Sequence, residues 1–288
     1  MSDVIHPATH IGAIALAVSN LEQAAHFYTN YLGMPQLPFE SIDPWRTFGA
    51  GGRHLVRLTA AAGAALNPRL PGLFHMAILM PDRFELARTL YQLAESNYHL
   101  QGASDHGVSE ALYLADPLGN GIEIYSDRPQ SEWPRDEQGN IDMVTKALNL
   151  DRLLFELKGK IEPWKGIDPR TRIGHVHLQV NNIPAAEHFY TQVIGLELQQ
   201  RYDNQASFLS AGGYHHHVGI NTWNSRGAAP APEDAAGLRY FELLLPDAAA
   251  LSEVTARIEA AELPVSPSDG GVLVKDPSGN GVLLRVEG

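Results

Sequence analysis

Glu123 is the residue from which a chemistry for this chain can first be argued. It stands in Ile122-Glu123-Ile124-Tyr125, an apolar run with strand character. A carboxylate in such a run is costly to bury unless something pairs with it, and a metal ion would do so. The run follows Asp116-Pro117-Leu118-Gly119-Asn120-Gly121, a turn signature in which proline fixes φ and Gly and Asn tolerate positive φ. Leu112-Tyr113-Leu114 reads as the partner strand, with His106 just upstream. His106 and Tyr113 thus share a ribbon with Glu123 and could move protons. A second concentration of imidazole is Tyr214-His215-His216-His217, and 13 histidines is a high count for 288 residues. The chain has no cysteine, which excludes thiolate metal sites, disulfides and cysteine nucleophiles.

The elements that must position these residues come as repeats. Ile11-Gly12-Ala13-Ile14-Ala15-Leu16-Ala17-Val18 with His26-Phe27-Tyr28 recurs as Ile173-Gly174-His175-Val176-His177-Leu178-Gln179-Val180 with His188-Phe189-Tyr190. Each is an alternating strand, then a helix with Asn or Ser near its start as a cap. Leu73 to Asp82 leads into a helix, Phe84 to Ser96, and then to the Glu123 ribbon. Leu238 to Asp247 leads into a helix from about Ala248 to Ala261 and then to Asp276-Pro277-Ser278-Gly279-Asn280-Gly281. The reading is an α+β chain of four βαβββ units, at 9–60, 72–127, 172–223 and 237–287. Units one and two fall in 1–128, a linker in 129–170, and units three and four in 171–288. The linker shows no strand pattern, a helix is expected over Met143–Leu157, and Trp133 and Trp164 are expected to pin it down.

Composition limits the partners. A net charge of -12 offers no phosphate-binding stripe, which argues against nucleic acid or an anionic membrane. No apolar run approaches the ~18–20 residues that span a bilayer. The N-terminus lacks the basic-then-apolar order of a signal peptide. A cytoplasmic protein is expected, and exposed edge strands with an acidic surface fit a homo-oligomer.

The four units resemble the vicinal-oxygen-chelate superfamily of glyoxalases, fosfomycin-resistance proteins and extradiol dioxygenases, over nearly the whole chain. The resemblance implies two cupped mixed sheets, with metal ligands on the first and last strands of facing units. The first-strand position holds His75 in unit two and His175 in unit three, but Ala13 in unit one and Tyr240 in unit four. The last-strand position holds Glu123 in unit two; alignment on the turns puts Leu55, His216 and Leu283 there in units one, three and four. Units two and three alone are equipped, so two should face three and one should face four. His10 and His54 would be the fallback partners if units one and two faced each other instead. Two histidines and a carboxylate suit Fe(II) with open positions for substrate and dioxygen, with Mn(II) the alternative. One residual positive charge on the ion would draw an anionic chelating diol such as a catecholate.

The Glu123 ribbon is also similar to the pattern of extradiol ring-cleaving enzymes: His106, five residues, Leu112-Tyr113, two residues, Asp116-Pro117-Leu118-Gly119, then Glu123. Ser104 is a minor departure, since the family prefers Gly, Asn, Thr or an aliphatic residue there. The resemblance extends to catechol-2,3-dioxygenase-type proteins. It assigns acid–base work to His216 first and His215 second, and hold on substrate to Tyr113 and His106. If 214–217 forms a strand, His216 faces away from His215 and His217. Two rivals stand beside this reading. A glyoxalase-type metal-dependent isomerase or lyase would need a second glutamate ligand, and none occupies the ligand positions. A metal-free small-molecule binding protein would need a cleft and no ligands.

Overall fold

The computed structural model describes residues 4–38, 45–160 and 162–288. The first three residues of the N-terminal stretch and residues 39–44 of unit one fall outside the described residues.

Apolar alternation builds two curled mixed sheets. One has eight strands and is made of units one and four; the other has nine, eight from units two and three and one from the linker. The expected pairing of units is the one observed. In each sheet two first strands meet antiparallel across the middle: His10–Val18 against Gly237–Leu245, and Gly72–Leu79 against Arg172–Gln179. The last strand of every unit then runs parallel to its own first strand.

Period-two alternation sorts the side chains. In the unit-two and unit-three strands the even-numbered Met76, Ile78, Ile122, Ile124, Val176 and Leu178 join the main hydrophobic core. Fully burying each such side chain contributes about 1.5–3 kcal/mol. Odd-numbered neighbours take the other face, where Ala77, Leu79, Ala111 and Tyr125 form a small cluster of their own. His75, Glu123, His175 and His177 share that parity.

All four unit helices begin on a side-chain cap. Asn20, Asp82, Asn182 and Asp247 accept from the backbone N–H three residues on. Such caps contribute about 1 kcal/mol each. The Asp-Pro turns are also held as a pair. Asp116 accepts from the backbone of Leu118 and Asn120 and from the Tyr28 hydroxyl; Asp276 does the same with Ser278, Asn280 and Tyr190. Each turn thereby ties its unit to the preceding one, which explains why it recurs in unit four without Glu123.

The linker departs from expectation. The helix expected over Met143–Leu157 is confined to Leu150–Leu154, followed by a single 3-10 turn at Phe155–Leu157. Asn149 starts it by capping Arg152 N–H. Upstream, Lys146–Ala147 is a short strand on the edge of the nine-stranded sheet, where no strand was expected. Met143 is held by the Gln200 amide, which accepts from Met143 N–H (2.9 Å) and donates to its carbonyl (3.3 Å). Residues 143–147 therefore form a strap from the edge strand Glu197–Tyr202 to the opposite end of the sheet, where they pair with Gly102–Asp105. Trp133 is buried beside Tyr214 and His215, and Trp164 lies under the Arg88 guanidinium. Among the described residues no helix is long and apolar enough to cross a membrane.

Candidate metal centre

Three buried donors converge on the face of the nine-stranded sheet opposite the main core. His75 Nε2 lies 3.0 Å and His175 Nε2 3.2 Å from the same oxygen, Glu123 Oε2. One donor atom from each residue falls within 4.8 Å of the others, which makes the three a candidate metal site. The positions follow from register. Ala77 pairs with Glu123 in parallel and with His175 antiparallel, so Glu123 and His175 flank the central strand at one level. His75, two residues earlier on that strand, lies on the same face.

The residues fit a divalent ion. Two ligands ~2.1 Å from one ion and at right angles stand ~3 Å apart, the spacing these nitrogens keep from Oε2. His75 Nε2 is buried and makes no hydrogen bond among the described residues. Two imidazoles and one carboxylate form the set that suits Fe(II) and leaves coordination positions open. Electrostatics keep the donors in ligand form. Burial pushes the Glu123 carboxyl up, but the pull of His175 and His75 outweighs it and holds it well below the usual range. Burial pushes His175 down to about 4, against the opposing pull of Glu123.

His106 and Tyr113 stand beside this centre. Tyr113 pairs directly across the hairpin with Glu123. His106 Nδ1 lies 2.8 Å from the Val144 carbonyl, which can only accept, so Nδ1 carries the hydrogen. In the neutral ring His106 Nε2 is then an acceptor, and the Tyr113 hydroxyl donates to it at 2.7 Å. Burial, with the Glu123 charge, pushes the Tyr113 phenol well above its usual range, so it stays protonated. His75 and Tyr113 also line a cavity of about 950 Å³ with Leu73, Phe74, Leu114 and Ile122 in its wall.

The histidine run is arranged differently from a strand. The strand begins only at Val218, and residues 211–217 form an irregular segment with positive φ at Gly212 and Gly213. His215 and His216 do not face apart; their Nδ1 atoms meet at 2.8 Å. Nor does His216 hold the last-strand ligand position. His177 pairs with Gly219 as Ala77 pairs with Glu123, so Gly219 is the counterpart. A Cβ there would come within 3.0 Å of the His177 ring, which occupies that space. The His216 ring nonetheless packs on His175, with centroids 4.0 Å apart. Burial drives His216 and His177 well below the usual imidazole range.

His177, Tyr125, Asp127 and Tyr214 were not singled out from sequence. His177 and Tyr125 could have been found from alternation with His175 and Glu123. The counterpart site in the eight-stranded sheet carries no such donors. The register there pairs Ala15 with Arg57 and Glu242 with Leu283, so Arg57, not Leu55, is the unit-one counterpart of Glu123. Arg57 is buried and pairs with Glu242 at 2.7 Å. His10 and His54 line a separate cavity near Arg57, away from the three donors.

Residues 10–124 and 172–284 match the family model described as the Glyoxalase/Bleomycin resistance protein/Dioxygenase superfamily. The chain belongs to this superfamily. Within it, the chain is 41% identical over 277 residues to a catechol-2,3-dioxygenase of Bacillus subtilis (strain 168), covering 95% of each. That likeness supports an enzyme of the superfamily. The fold is also that of crystal structures of glyoxalase I from Zea mays (TM-score 0.58, 14% identity, 97% of this chain and 92% of that one). The cppA protein from Streptococcus pneumoniae TIGR4 shares it too (TM-score 0.57, 13% identity, 96% and 99%).

Proposed function

We propose that this chain is an extradiol ring-cleaving dioxygenase, opening a catechol-type aromatic diol with dioxygen at one ferrous ion held by His75, Glu123 and His175. The observation that carries this reading is the convergence of those three donors next to the His106–Tyr113 pair. The relative named as a catechol-2,3-dioxygenase supports it. Mn(II) is the second metal that this donor set suits. Fe(II) bound there would template diol and dioxygen side by side and let electron density pass between them.

The protein's own groups do the rest. The apolar wall of Leu73, Phe74, Leu114 and Ile122 receives an aromatic ring. A diol proton passes to the Tyr113 oxygen as the Tyr113 proton passes to His106 Nε2. The Val144 carbonyl steadies the resulting imidazolium through Nδ1. On the other side of the donors, His216 holds or returns a proton as the ring opens. The absence of cysteine fits a reducing compartment, and the reading places the enzyme in the cytoplasm as a homo-oligomer.

The test is anaerobic loading with Fe(II), then catechol and air. A yellow ring-fission product should appear only with dioxygen, and His75→Ala should abolish it. Full activity in His75→Ala would overturn the ligand assignment. Turnover of a hemithioacetal without dioxygen would favour an isomerase. Tight ligand binding by a protein that takes up no metal would favour a binding protein.

A further inference from the structure

Glu123, Tyr125 and Asp127 alternate along one face of the Gly121–Asp127 strand. Glu123 meets His75 and His175; its neighbours on that face lead outward. The Tyr125 and Tyr214 hydroxyls meet at 2.7 Å, and Tyr214 donates to Asp127 Oδ2 at 2.9 Å. The single Tyr214 hydrogen goes to the carboxylate, so Tyr125 donates to Tyr214. The other carboxylate oxygen, Asp127 Oδ1, lies 3.0 Å from His215 Nε2. His215 Nδ1 in turn lies 2.8 Å from His216 Nδ1. His215 is buried, with the Tyr214 and Trp133 rings packed on it at 4.1 and 5.3 Å. Asp127 keeps 23% side-chain exposure and lines a cavity on the far side from the Tyr113 wall.

This chain of bonds has one consistent set of hydrogens for neutral rings. A carboxylate only accepts, so His215 Nε2 carries a hydrogen. His215 Nδ1 is then an acceptor, so His216 Nδ1 must donate to it. His216 Nε2 is left with a lone pair. We infer that Asp127 is a positioning residue which, acting through His215, holds His216 as its Nδ1–H tautomer with Nε2 as the free base. The catalytic consequence rests on the function proposed above; the tautomer assignment stands apart from it. An orienting carboxylate of this kind leaves geometry intact when made an amide but can present an N–H to the imidazole and so invert its tautomer.

The test uses the full-length metal-free protein, labelled with ¹⁵N-histidine, because ring ¹⁵N shifts separate protonated from lone-pair nitrogens. Wild type should show His216 with hydrogen on Nδ1 and His215 with hydrogen on Nε2. Asp127→Asn should exchange both. Tyr214→Phe, which leaves Oδ1 free to bind His215, should change neither. A wild-type His216 protonated on Nε2 overturns the inference whether or not the variants fold. So does an Asp127→Asn protein with unchanged tautomers. On the Fe(II)-loaded enzyme, Asp127→Asn should lower kcat on catechol about 10²-fold with KM within about twofold, and Asp127→Glu should restore part of it. If wild type shows the expected tautomers but never cleaves catechol, the functional reading fails and the tautomer assignment holds.

Discussion

Arg57 and Glu242 bury opposite charges where the other sheet gathers the candidate metal donors. The Arg57 guanidinium lies beside the Tyr240 hydroxyl, and Tyr240 is the unit-four counterpart of His75. A fixed cation thus fills the barren site. Among the described residues Arg57→Ala leaves Glu242 only the partly exposed Arg285 at 3.3 Å and the Ala13 N–H, so it should cost about 3 kcal/mol in urea unfolding, the low end for a broken buried pair. Arg57→Met with Glu242→Leu should cost far less, since apolar replacement of a buried pair is often neutral. His217 contributes to the acid dependence of stability alongside His175, His177 and His216. Its Nδ1 accepts from Ala211 N–H, and burial holds the ring down at about 3, so the native state refuses a proton that the unfolded chain binds near 6.5. The His217 share of stability is therefore full above pH 6.5 and falls as pH drops toward 3; His217→Gln should make the slope shallower by that share in a series of thermal melts, with the other buried histidines keeping the rest. Glu123 was legible because a carboxylate in an apolar run demands a partner. Arg57 and Gly219 were not, because alignment on turns assumes equal turns. Unit one uses Gly51-Gly52, unit two five residues after Ala115, and unit three the seven residues 211–217.

At the level of elements, the four helices and most strands were legible because their signals are local: a cap, a period, a glycine. The strap was not, since Met143 owes its extended course to Gln200, far along the chain. The ten-residue stretch from Met143 to Arg152 has helix-forming residues, yet tertiary bonds override that preference up to Asn149. The strap also carries Val144, whose carbonyl fixes the His106 tautomer. Gln200→Ala removes both amide bonds to Met143, a loss of about 1–2 kcal/mol. Faster hydrogen exchange at Met143 and Val144 should follow, with a rise in KM for the diol as His106 loses its anchor. Unchanged exchange at those two amides would show that the strap is held by the edge pairing alone.

Across the whole molecule, His75 and Glu123 come from the first half of the chain and His175 from the second, and each sheet takes one unit from each half. A nick at exposed Gly159 should therefore leave both pieces in one particle, seen as a single peak on sizing but two bands on a denaturing gel. Metal that binds only the folded state should raise the unfolding free energy by ~2.7 kcal/mol at a hundredfold excess over Kd, and His175→Ala should remove that gain. This interleaving was legible once two units were seen to hold donors; the curvature of the sheets came from the family resemblance alone, because it arises from twist summed over many strands and no single residue signals it. The same interleaving sets a schedule during synthesis. The Gly72–Leu79 strand finds its partner when Gln179 is made, but His10–Val18 must wait for Leu245. At ribosomal rates that delay is on the order of ten seconds or more. Through it the most apolar strand of unit one, paired on one side with Arg53–Ala60, keeps its other edge open, so the donor-bearing sheet should close first and the barren one last, once the final unit has emerged.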